Sequence, residues 1–143
     1  MVTTLRRQFT TFLAEHRTGI LCLSEPAASS WAMPVRYVNR DLTVVCLLPR
    51  WSEIAFRLEC SHMVTLIVPS SDNSNEHWLS CFGAARLGMM SEWHALWACP
   101  GITHAMTDLY EVIEIAPKRL DLFDQRLGWG HRTNLDCEQE TTA

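Results

Sequence analysis

Apolar and polar positions change period several times along the 143 residues, and each change marks an element. Leu5, Phe9, Phe12 and Leu13 recur at helical spacing behind the caps Thr3 and Thr4. They predict an amphipathic helix that ends near Thr18-Gly19 and packs across one mouth of a sheet. The period then shortens. Ile20 to Ser24 and Trp31 to Asn39 read as two strands joined by a turn of small residues. In the second strand alternation sends Met33, Val35 and Tyr37 one way and Arg36 and Val38 the other. Pro34, with no N–H for a ladder, marks an edge, a bulge or a place where something other than a strand lies alongside. After the turn at Asn39-Arg40-Asp41, the continuous apolar run Leu42 to Leu48 predicts a buried central strand stopped by Pro49.

Leu42 to Cys60, LTVVCLLPRWSEIAFRLEC, therefore reads as a strand turning sharply into a second helix. Ser52 suits the N-cap, Glu53 suits the positive end of the helix dipole, and Trp51 with Phe56 forms a hydrophobic staple. Free N–H groups, the Ser52 hydroxyl and the Arg50 cation make this corner an anion site suited to phosphate, although the same residues also make an ordinary capped helix. Further on, His62 to Val68 is a strand, and His77 to Leu87 a long one in which Gly83 predicts a bulge or bend. A third helix runs from the cap Ser91 through Trp97, with Trp93 and Trp97 as a packing stripe. Tyr110 to Ile115 alternates as a strand, Pro117 breaks it, and Leu120 to Phe123 is a last strand. Hairpin-length links favour antiparallel pairing. The expectation is a mainly β protein with flanking helices: a closed or split barrel of about six to seven antiparallel strands and two to three helices, formed by residues 1–124, with a polar tail at 125–143.

Composition narrows the chemistry. A formal net charge of -4 leaves no basic footprint, which argues against nucleic-acid binding. No apolar run reaches the length of a membrane span and MVTTLRRQF lacks the core of a secretory signal, so a soluble, cytoplasmic protein is expected. The six cysteines stand singly, without a CxxC pair, and read as reduced and mostly buried. Cys60 with His62 is the one tight Cys/His pair and lacks further ligands, so no metal site is expected. Cys60 and Cys137, least clearly placed in strands, are the candidates for a thiol sensor. The six histidines have no Asp or Ser partner at a readable spacing, and no triad or general base is assigned.

WAMPVRYVN, VVCLLPRWSEIAFRLECSHMVTLIV, HWLSCFGAARL and VIEIAPKRLDLFD, in that order between about Gly19 and Asp124, resemble the FMN-binding split-barrel family that includes pyridoxamine 5′-phosphate oxidase. The resemblance implies a homodimer with the isoalloxazine ring against the two central strands at the interface and its phosphate near the corner. Residue by residue, it makes Arg36 the basic side chain of the second strand and Ser52 the corner serine, with Tyr37, Leu48, Pro49, Arg50 and Trp51 around them. Trp78 falls where a flavin neighbour stands, and Trp129, in Gly128-Trp129-Gly130-His131-Arg132, resembles a tryptophan brought across from the partner subunit. Leu48 replaces a threonine and Ile54 a lysine, which removes polar phosphate contacts and leaves Arg50 as the substitute charge. The implied activity is an FMN-dependent oxidoreductase acting on a small molecule, with the hydride chemistry supplied by the cofactor. The alternative is a split barrel without flavin chemistry, either empty of cofactor or holding haem with His62, His77 or His131 as axial ligand.

Overall fold

Seven strands, each antiparallel to its neighbours, make one sheet that closes on itself. The computed structural model describes residues 2–23, 32–52, 63–71, 76–88, 93–98 and 101–137. Its elements are α1 (Val2–Glu15), β1 (Thr18–Leu23), β2 (Ala32–Arg40), β3 (Thr43–Pro49), β4 (Met63–Pro69), β5 (His77–Leu87), the short α2 (Trp93–Trp97), a 3-10 helix (His104–Asp108), β6 (Tyr110–Asp124), a 3-10 turn (Gln125–Leu127) and β7 (Arg132–Asp136). Strand order is β3-β2-β1-β4-β5-β6-β7, and a β3–β6 pairing closes the first six strands into a barrel. The expected second helix and the Ser91 cap lie outside the described residues.

Alternation divides the side chains between two packing regions. Inside the barrel lie Val35, Tyr37, Val44, Cys46, Leu48, Leu66 and Ile113, among others, and Phe9, Phe12 and Leu13 of α1 plug one mouth. The helix spacing of these last three residues was the signal for that plug, and the Tyr37 hydroxyl bolts it down by donating to the Leu13 carbonyl over 2.8 Å. Burial of each large side chain contributes about 1.5–3 kcal/mol. Outside the barrel, Val45, Leu47 and Val112 are covered by Trp93, Leu96 and Ile102. The Trp93/Trp97 stripe is thus packing against the outer face of β3 and β6. β3 is buried on both sides, which is why its sequence runs apolar without alternating.

Two expectations about the end of the chain change. Tyr110–Asp124 is one strand of 15 residues, unbroken at Pro117. One edge of β6 pairs with β3 through residues 110–115 and with β7 through residues 119–123, so Pro117 sits in the gap between the two ladders and its missing N–H costs no hydrogen bond there. Its other edge pairs with β5, and the register shifts between Phe82 and Gly83, the bulge expected of that glycine. Residues after Asp124, read as a polar tail, fold back instead as β7, whose Leu135 is buried in the barrel core. Local sequence there carries only one apolar residue on the inner face, too little for a periodicity signal.

Candidate functional site

The corner after β3 adjoins a pocket, which opens beyond the end of the β2–β3 ladder with two prolines in its lining. β2 and β3 pair from Arg40↔Thr43 to Tyr37↔Cys46. Continued at the same register, the ladder would set Arg36 opposite Leu47 and Pro34 opposite Pro49. Neither proline has an N–H to give, and the ladder stops at Tyr37. β2 follows β1, with Pro34 opposite Ile20, while β3 follows β6, with Pro49 opposite Tyr110. A cavity of about 220 Å³ opens where they part. Met33, Pro34, Leu47 and Pro49 line its walls, with Met106 of the 3-10 helix and Tyr110 at one side and Arg36 as its cation.

Arg36 is half-buried, and its guanidinium lies against Gly101 so closely that a Cβ there would come within 2.8 Å of Nη1. Gly101 has φ of +83°, a conformation that suits glycine and lets the loop after α2 press on the arginine. Arg50 turns away from the pocket: Nη2 donates to the Thr107 carbonyl at 3.0 Å and Nη1 approaches the Glu111 carboxylate at 3.5 Å. Its charge is thus already balanced by Glu111. The Ser52 amide donates to the Pro49 carbonyl at 3.0 Å, closing a tight turn that presents Trp51, 69% exposed and tilted towards the Tyr110 ring. Phe56 and Ile54 lie outside the described residues.

The remaining candidates stand elsewhere. Tyr37 and Leu48 point into the barrel and are 2% and 0% exposed, so only their backbone is available on the outer face. Burial also raises the Tyr37 phenol well above the tyrosine range and keeps it a hydrogen-bond donor. Trp78 stacks on Phe123 at 5.0 Å, at the opposite end of β6 from Tyr110, and Trp129 is 96% exposed in the β6–β7 hairpin. Within one chain, then, Arg36 and Pro49 share the pocket, Arg50, Trp51 and Ser52 follow Pro49 in the turn and are not among its lining residues, and Trp78 and Trp129 do not line it either. Met106 and Gly101 were missed because they sit in a segment without periodicity. Leu47 was legible as the residue that alternation sets opposite Arg36.

None of the histidines described lines this pocket. His77 bonds Arg126, His131 lies in the β6–β7 hairpin, and His62 is outside the described residues. Cys46 and Cys81 are fully buried and their thiols are raised by desolvation, Cys81 to about 12. Cys137 is half-buried against the core and Cys60 lies outside the described residues. Among the described residues no group of three or more His, Cys, Asp or Glu side chains is placed to hold a metal ion. No described helix is long and apolar enough to cross a membrane.

No family model matches the sequence, and no curated protein matches it. Solved structures do match. A heme binding protein from Mycobacterium smegmatis superposes with a TM-score of 0.72 at 17% identity, over 96% of this chain and 60% of that one. A putative pyridoxamine 5′-phosphate oxidase from Listeria innocua gives 0.66 at 16% identity, over 82% of this chain and 97% of that one. The fold is the split barrel of these proteins. An FAD-binding protein from Mesorhizobium loti shares the same split barrel, with a TM-score of 0.61 at 13% identity over 80% of this chain and 90% of that one. The sequence resemblance and the closed six-stranded barrel agree on the architecture.

Proposed function

We propose that this split-barrel chain is a flavin-binding, oxidoreductase-like protein that acts on a small molecule as a homodimer, with FMN as the cofactor. The observation that carries this reading is the pocket lined by Pro34 and Pro49, apolar along its walls and with Arg36 as its cation. The residues fit such a group in part. Met33, Pro34 and Leu47 offer a surface for an apolar ring edge, and Arg36 offers paired donors to a phosphate. Ser52 follows in the turn after Pro49, its amide donating to the Pro49 carbonyl. A cavity of about 220 Å³ is below the usual range of about 300–1,000 Å³ for ligand pockets, which is consistent with the proposed partner subunit supplying the rest of the site. The exposed Trp51 and Leu109 flank the corner on that side, and Trp129 is free to reach a neighbour. FMN, when bound, supplies the electron and hydride exchange, while the chain orients the cofactor and excludes water from its ring.

Haem is the second reading, since one protein of the same fold binds it. Among the described residues no histidine lines the corner pocket to meet an iron, which favours the flavin. The deciding experiment is the visible spectrum of the purified protein before and after incubation with excess FMN and removal of unbound dye, with its mass measured by sedimentation. Retained flavin bands on a dimer support the reading. Arg36→Gln should then weaken FMN about tenfold or more, through loss of a charge-assisted contact. A Soret band, or a colourless protein that refuses FMN, overturns it.

A further inference from the structure

A second and larger cavity, of about 580 Å³, shares no lining residue with the corner pocket and lies between α1 and the ends of β5 and β6. Arg7, Thr11 and Glu15 of α1 form one wall, His77 and Arg126 the other, and Phe12 and Leu122 the floor. The polar groups are arranged rather than scattered. Asp124 is gripped by Arg126, whose Nε and Nη2 donate to its two carboxylate oxygens at 2.9 and 3.0 Å. That pairing holds the Asp124 carboxyl down to about 2, so the two charges cancel as a fixed unit. The same Nη2 also reaches His77 Nδ1 at 3.2 Å. A guanidinium only donates, so Nδ1 accepts and the imidazole keeps its proton on Nε2, as a donor. On the opposite wall Arg7 is exposed and has no ion-pair partner among the described residues. Glu15, the other charge on that wall, is eight residues further along the helix, about 12 Å away.

We propose that this groove is a binding site for a small organic molecule carrying a single anionic group, a carboxylate or a phosphate, seated between Arg7 and the Arg126–His77 wall. Arg7 supplies the uncompensated positive charge, and Arg126 is positioned in advance by Asp124. The apolar floor of Phe12 and Leu122 takes the carbon body of the ligand. Glu15 repels a second anion at the far end, so the site selects molecules that are neutral or cationic there. Its volume falls within the range of small-molecule pockets.

The test is a titration of the full-length, isotope-labelled protein with inorganic phosphate and with acetate, at constant ionic strength set by chloride, followed by NMR of the arginine Nε–Hε signals. Saturable shifts at Arg7 and Arg126 in the millimolar range are expected, with Arg36 as an internal reporter of the corner pocket. Arg7→Gln should weaken binding about tenfold, while Glu15→Gln leaves it unchanged or tightens it. Both side chains are exposed, and an unchanged circular dichroism melt verifies that the variants are folded. Shifts that chloride reproduces, or equal affinity in Arg7→Gln, overturn the proposal. A response at Arg36 alone would support the corner pocket and refute this one, so the two sites fail separately.

Discussion

Replacing Gly83 by alanine tests the barrel's geometry at its most crowded point. An added Cβ would lie 2.3 Å from the Ala116 carbonyl oxygen and 2.9 Å from Pro117 Cα. The obstruction is backbone, so no rotamer change relieves it, and β5 and β6 must separate locally. Overpacking of this kind costs about 1–3 kcal/mol, and a ladder hydrogen bond lost with it about 1 kcal/mol more. Alanine returns about 0.4–1 kcal/mol by restricting the unfolded chain. The net loss is about 1–3.6 kcal/mol out of the roughly 5–15 kcal/mol that holds a domain of this size. At about 3 °C per kcal/mol for a chain of this length, the melting temperature should fall by about 3–11 °C. Urea unfolding with an unchanged m-value gives the energy, and differential scanning calorimetry gives the shift. Adding Ala116→Gly should not rescue the variant, because the carbonyl remains. A loss below about 0.5 kcal/mol, or rescue by Ala116→Gly, would refute the contact and with it the bend that it fixes.

Tyr37→Phe removes a hydrogen bond that ties the plug helix to β2 through a side chain buried in the barrel, and should cost about 1–2 kcal/mol in urea unfolding. If Pro34 and Pro49 hold β2 and β3 apart, the double variant Pro34→Val with Pro49→Val should let the ladder lengthen, protect new amides from hydrogen exchange and reduce FMN uptake; unchanged exchange would count against that mechanism. Asp124 is held below the usual carboxylate range by Arg126, so its stabilising part is full above about pH 4 and disappears as pH falls towards 2. Melting temperatures measured from pH 5 to pH 2 should therefore fall less steeply for Asp124→Asn than for the parent.

Strand positions were legible because burial on this fold follows residue parity. His77–Leu87 is found as expected, and the other strands from β1 to β4 shift by only a residue or two. Parity could also have warned that Tyr37 and Leu48 face inward, since they share the inner face with Val35, Val44 and Cys46. The resemblance put them at the site by their place in its motifs, which carries no information on the direction of their side chains. Pro117 misled for the opposite reason. A proline breaks a strand only where its N–H would have a partner, and whether β6 has a neighbour at that position depends on where β3 ends and β7 begins, at distant points of the chain. Likewise, the partner of Arg50 is Glu111, 61 residues away, and no local pattern could show that its charge is already matched.

The same property of proline then serves opposite ends in one sheet. At Pro117 the missing donor falls in a gap and the strand runs on, whereas Pro34 and Pro49, which the extended register would set opposite one another, lie just beyond the point where β2 and β3 divide. A closed barrel of six paired strands has no free edge at which a ligand can meet the backbone of its core strands. Parting β2 from β3 at their ends creates such an edge, with Arg36 on the outer face beside it and Leu47 across from it. Val38 and Val45, one step back along the intact ladder, are instead packed with Leu96 and Trp97 in the outer cluster. Leu47, buried in that outer cluster, is also a wall of the pocket, so packing surface and pocket meet where the ladder ends, three residues short of the prolines.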